Sequence, residues 1–315
     1  MPVRLGLERR LHFASADGSL FLDSARTEDV AELERLNLSV KLDITRGEEL
    51  FSSTKGEFAR SGGFFKVMDA PELRRQITGS ASVIFVLRAG AEAAEGAAAP
   101  PAPPAAVPAP PAAVPADAPA AAPAAAPAAA APAARARTPE RIVASLWMAP
   151  GDPGFVRPGP DFQRYLGQNL RLARALRDGE VCYARELIVV RDAPRFIDCS
   201  RAIFYGAFLN ARLAGFRYAL AEIYKVVGYG EQTKAVSVIN KAALRAAAQA
   251  GGRQIAPNNP RTLHFDAGPS VTIEPQILFF SFDAALLGLR RQLESQGVRL
   301  EPENVRPGQM GASRG

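Results

Sequence analysis

The sequence predicts an α+β protein: a small mixed N-terminal sheet domain, a long disordered Ala/Pro linker, and a larger helix-rich α+β C-terminal domain. Three observations lead there. Residues 91–138 are almost wholly alanine and proline, and each proline fixes φ and removes a donor, so no regular element runs through them. The segments on either side carry apolar residues at both strand and helix spacing. The whole chain, 315 residues at 48% hydrophobic and 22% charged, has the composition of a protein that buries a core. The boundaries read as a first domain over 1–90, a linker over 91–138, a second domain over 139–302 and a flexible tail over 303–315. The linker is expected to act as a semi-rigid, extended spacer.

In the first domain, residues 11–22 read as a hairpin, with Asp17-Gly18 suited to a type I′ turn. Thr27 opens a helix running to Leu36, with Val30, Leu33 and Leu36 on one side. Residues 38–44 alternate apolar and polar, the pattern of a half-buried strand. Residues 58–68 read as a second hairpin around Gly62-Gly63. Pro71 opens a short helix to Thr78, and residues 82–87 form a buried strand.

The second domain is expected to be richer in helix. Residues 161–177 read as one helix with a leucine stripe. Residues 187–190 are a short strand. Residues 200–227 are the longest apolar-rich segment, and Phe204, Phe208, Phe216 and Leu220 at helical spacing predict a central buried helix. A further helix spans 231–250, ended by Gly251-Gly252. Residues 262–265 and 270–273 form a possible hairpin, 276–282 a buried strand and 286–296 a last helix.

Catalytic constellations are sparse. His12 and His264 are the only histidines and stand far apart, so no metal site is expected. Cys182 and Cys199 read as two buried thiols, and nothing local joins either to His264 as a nucleophile–base pair. Gly228-Tyr229-Gly230 lacks the third glycine of a nucleotide loop and reads as a helix break. Glu222 with Lys225, and Asp192 with Asp198, are the only carboxylate groupings that hint at a metal-dependent nuclease. No cofactor is expected.

Charge offers more. The net charge is +6, and residues 164–261 hold 16 Lys and Arg against 7 Asp and Glu. Arg164, Arg171, Arg174 and Arg177 form a basic ridge on the first helix of the second domain, and Lys234, Lys241 and Arg245 another on a later helix. Tyr165, Tyr183, Phe196, Tyr205, Tyr218, Tyr224 and Tyr229 are interleaved with them. Cations that neutralise phosphates and rings that stack on bases suit single-stranded nucleic acid. The expectation is therefore a non-enzymatic, sequence-tolerant nucleic-acid-binding protein using those seven cations. A structural or assembly subunit, oligomeric or docked on a protein partner, is the alternative, and a nuclease-like enzyme the third reading. The charged first ten residues and the lack of any run of about 18 apolar residues predict a cytoplasmic protein without a membrane partner.

Overall fold

A computed structural model of the chain describes residues 5–46, 48–52, 56–79, 82–89, 140–151, 158–230, 234–266 and 268–302. The expected linker and tail lie outside the described residues.

The strands are β1 (Leu11–Ser15), β2 (Gly18–Ser24), β3 (Val83–Ala89), β4 (Arg141–Ala149), β5 (Val181–Val189), β6 (Tyr218–Tyr229), β7 (Lys234–Ile239), β8 (Arg253–Pro257), β9 (Arg261–Leu263), β10 (Val271–Ser281) and β11 (Arg299–Pro302). The helices are α1 (Val30–Ser39), α2 (Glu48–Phe51), α3 (Glu57–Ser61), α4 (Ala70–Thr78), α5 (Pro160–Gln168), α6 (Leu170–Arg177), α7 (Cys199–Leu213), α8 (Lys241–Gln249) and α9 (Phe282–Ser295). All eleven strands join one sheet, in the order β11-β1-β2-β3-β4-β5-β6-β10-β8, with β7 on β6 and β9 on β10. Every pairing is antiparallel except β5 with β6.

This corrects the expected fold class. A small N-terminal sheet beside a helix-rich C-terminal unit is not what forms. β3 and β4 flank the Ala/Pro stretch and are neighbours in register, from Val83 opposite Met148 to Ala89 opposite Arg141. β11 returns to pair with β1, so the first and last strands lie side by side at one end of the sheet.

Helices cover both faces. On the first, α1 and α4 pack through Val30, Leu33 and Leu73 onto Ile84, Val86 and Trp147, while α5 and α6 pack through Phe162 and Leu172 onto Tyr183, Tyr218 and Leu220. On the second, Ile203, Phe204 and Phe208 of α7, Ala247 of α8 and Leu289 and Leu293 of α9 meet Phe85, Leu87, Met148, Ala219 and Phe280. Alternate residues of β3, β5 and β6 serve opposite faces, as the pleat requires. Gly206 allows α7 to lie close against the sheet, because a Cβ there would stand 2.6 Å from Leu22 Cδ2.

Several expected elements form with modest shifts: the 11–22 hairpin, the helices from Thr27 and Pro71, the 82–87 strand, the 262–273 pairing and the last helix. In the first hairpin the positive φ falls on Gly18 alone, so the turn is not type I′. Others are replaced. Residues 38–44 keep only a single bridge, from Lys41 to Phe64, and 58–61 are helical, so neither that strand nor the Gly62-Gly63 hairpin exists. The helix expected over 161–177 is two, broken at Asn169, whose side chain caps α6. Residues 200–227 divide at Gly215 (φ 104°) into α7 and β6, and 231–250 divide into β7 and α8.

Candidate functional site

β5 and β6 run side by side only from Val181–Tyr218 to Ala184–Ala221. Beyond that they diverge. β5 continues to Val189 paired, among the described residues, with β4 alone, while β6 turns its free edge to β7 from Lys225 onward. The fork holds a cavity of about 700 Å³. A parallel pair that splays in this way leaves a strand edge without a backbone partner, a ready place for an extended ligand that carries amides.

The wall of the fork is shaped by a bulge. Trp147 pairs with Glu186 and Met148 with Ala184, so Arg185 is an extra residue on β5. The bulge aims Arg185 and Glu186 to the same face. Arg185 lies over the Trp147 ring at 4.4 Å, and Glu186 turns into the cavity. Burial pushes the Glu186 carboxyl up to about 7; the nearby Glu72 carboxylate adds to the rise, and Arg185 opposes it. Trp147 is 8% exposed, and its indole Nε1–H has no hydrogen-bond partner among the described residues.

Opposite stand Glu222 and Tyr224 of β6. Arg261 Nη2 donates to Glu222 Oε2 at 2.8 Å and to Tyr224 Oη at 3.2 Å, and Asn258 Nδ2 donates to Glu222 Oε1 at 3.1 Å. Burial raises the Tyr224 phenol, against the pull of Arg261. Its oxygen accepts from Arg261, leaving its own proton to donate. At the wide end, Asn240 caps α8 by accepting from Ala243 N at 2.9 Å. Gly62 (φ 72°) lets α3 close against it, since a Cβ there would come within 2.6 Å of the Asn240 amide.

Beyond the fork, α7 begins the crossover from β5 to β6. Its first amides, on Ser200 and Arg201, are taken by the Asp198 carboxylate at 3.1 and 3.2 Å.

The cations expected to form one surface are divided. Arg164, Arg171, Arg174 and Arg177 lie on α5 and α6, over the first face of the sheet; Lys241 and Arg245 lie on α8, over the second. Arg164 is paired with Asp161 at 3.0 Å, and Arg171 lies over the Tyr218 ring at 5.9 Å. Arg174, Arg177, Lys241 and Arg245 are exposed. Lys234 is on β7 rather than a helix, and its side chain is outside the described residues. The interleaved aromatics are spent in packing: Tyr218 on Phe279, Tyr224 on Phe65, Tyr229 on Phe51. The nuclease-like grouping also separates, with Lys225 paired to Glu274, Asp192 to Arg141, and Asp198 capping α7. Cys182 and Cys199 are buried, free thiols with pKa pushed up by burial. Among the described residues, no helix is long and apolar enough to cross a membrane.

Composition concealed the site. Glu186 directly precedes the apolar run read as a short strand, with Arg185 before it, and Glu222 and Tyr224 fall in a segment that reads as helix. The only local signal was a carboxylate in a stretch otherwise suited to a buried strand.

No protein-family model matches the chain, and no curated protein matches it in sequence. Solved structures do. RimJ of Mycobacterium smegmatis, in complex with CoA-disulfide, is similar at 10% identity and a TM-score of 0.42, covering 95% of this chain and 97% of its own. The yncA acetyltransferase of Salmonella typhimurium, with its cofactor acetyl-CoA, aligns at 11% identity and a TM-score of 0.36, covering 84% and 94%. A point mutant of the Vibrio cholerae spermidine N-acetyltransferase SpeG aligns at 8% and 0.37, covering 85% and 96%. Superpositions this loose carry no weight for the chemistry of this chain. The expected non-enzymatic, nucleic-acid- or DNA-binding protein is corrected on the geometry: the cations meant to hold a polyanion are split between the two faces of the sheet, and the rings meant to stack on bases are packed against other rings.

Proposed function

We propose that the chain is a transferase that moves an acyl group from a thioester to an amine, in the fork between β5 and β6. The observation that carries this reading is Glu186: a half-buried carboxyl on a bulge, in the wall of the fork's cavity of about 700 Å³, with its pKa pushed up to about 7. A general base works best when its pKa lies near the working pH.

The unpaired edge of β5 suits the amide-containing arm of a pantetheine-type thioester, bound as one more strand. The bare amides that would hold a coenzyme's phosphates do not fit so well. Asp198 already occupies the start of α7, and a diphosphate would meet its carboxylate. The donor is therefore defined by its thioester arm, not by its distal phosphates.

In the reaction, the ionised Glu186 takes a proton from the acceptor's ammonium group or through a bridging water. The freed nitrogen attacks the thioester carbonyl carbon and forms the C–N bond. Trp147 Nε1–H, on the same wall, is a donor for the oxygen as it takes on charge. As the C–S bond breaks, Tyr224 gives its proton to the departing sulfur, and its phenolate then takes the second proton from the amine nitrogen, which leaves a neutral amide, a free thiol and a restored phenol; Arg261 steadies the phenolate in passing and Glu222 holds Arg261 in place.

Release of free thiol from acyl thioesters, measured with and without a panel of primary amines, tests the reading. Amine-dependent release is expected, with the Glu186→Gln variant slower in kcat by about 100-fold or more. No release with any amine or thioester would overturn it.

A further inference from the structure

Resting on that reading, we infer that the transferred group is a long aliphatic acyl chain rather than acetyl. The cavity does not stop at the reacting groups. Glu186, Glu222 and Tyr224 face the first side of the sheet, but the same space continues through the fork to the second, where Phe204, Leu278 and Phe280 line it. There α8 contributes Ala242, Ala243, Ala246 and Ala247 to the wall. Where an ordinary helix facing a core would fill the space with leucine or phenylalanine, this one offers only methyl groups.

An acetyl group would fill a small part of about 700 Å³; cavities of this size hold ligands of many atoms. The division of polarity sets the direction. The carboxylates and arginines gather at the end with Glu186, and the far branch is lined by aromatic and aliphatic side chains, with Ser200 and Asn240, at the starts of α7 and α8, as its polar groups. A chain entering with its carbonyl beside Glu186 would pass between β5 and β6 and lie against α8. An empty apolar branch forfeits packing, whereas an alkyl tail recovers it.

Two measurements on the full chain test this. The first is transfer to one amine from a series of thioesters on an N-acetylcysteamine arm: acetyl, butyryl, hexanoyl, octanoyl, decanoyl and dodecanoyl. kcat/KM should climb about three- to fourfold per buried methylene until the branch is full. The second is displacement of the fluorescent fatty acid cis-parinaric acid by carboxylates of the same lengths, which needs no turnover. Ala246→Leu and the milder Ala243→Val, each checked for an intact melting transition, should move the end of the climb to shorter chains in both series. A flat profile, an acetyl optimum, or variants that leave the length profile unchanged would overturn the inference. Turnover with a flat profile removes the acyl branch and leaves the transferase reading standing. Length-dependent displacement without turnover of any thioester removes the transferase reading and leaves the branch.

Discussion

Glu186 holds its proton more tightly in the folded protein than in the unfolded chain, and this couples catalysis to stability. Below about pH 4.5 both states are protonated and there is no penalty. As pH rises from there to about 7 the unfolded chain gains by ionising, so the folded state loses relative stability, and above 7 the loss is complete. Glu186→Gln removes the penalty. The variant is expected to be inactive yet more stable at pH 8 by about 2 kcal/mol, with little gain at pH 4, as denaturant titration at the two pH values would show. For the active protein, kcat/KM should rise through about pH 7 as the base ionises. Tyr224→Phe should lower kcat about tenfold or more with KM nearly unchanged, because the phenol acts on the leaving sulfur and not on binding.

Between elements, a few close contacts set the geometry. Asp29, at the start of α1, receives two hydrogen bonds from Arg88 of β3, at 3.0 and 2.7 Å, with the two side chains only 8% and 11% exposed. Removing the carboxylate would strand a buried guanidinium, so Asp29→Ala should cost about 3–5 kcal/mol, read as a shift in urea midpoint. The approach of α7 to β2 depends on Gly206, and Gly206→Val should destabilise by about 1–3 kcal/mol through overpacking against Leu22. α3 and α8 are locked at Gly62 and Asn240, which bound the fork's wide end.

At the scale of the whole molecule, the fork exists because a parallel crossover is set inside an otherwise antiparallel sheet. Antiparallel neighbours can pair along their full lengths, whereas β5 and β6 are held together at one end and pulled apart by β4 and β7 at the other. The register of β3 with β4 has a further consequence: residues 90–140 join two adjacent strands, as a hairpin loop does. Replacing 91–138 with a turn of about four residues should leave the sheet and cavity intact. It should also raise stability by about 2 kcal/mol through reduced loop-closure entropy. A melting curve and cis-parinaric acid binding would check it; loss of the folding transition would show that the segment does more than connect.

Sequence by itself determined the local units whose signals are short-range: the hairpin at 11–22, the capped helix at Thr27, the Pro71 helix, the strand before the Ala/Pro stretch and the last helix. Only the tertiary structure decided the sheet. Strand pairing between residues far apart leaves no local trace, and β6, which packs on both faces and is apolar apart from Glu222 and Lys225, lacks the strict alternation that would tell it from a buried helix. The site was hidden for the same reason. Glu186 has a raised pKa because the bulge against β4 turns it into the wall of the fork, partly withdrawn from water, and neither condition is written in its neighbours along the chain. The arginines read as one surface because helical spacing places them on common ridges, but the sheet that sends those helices to opposite faces is made by pairings that spacing does not encode.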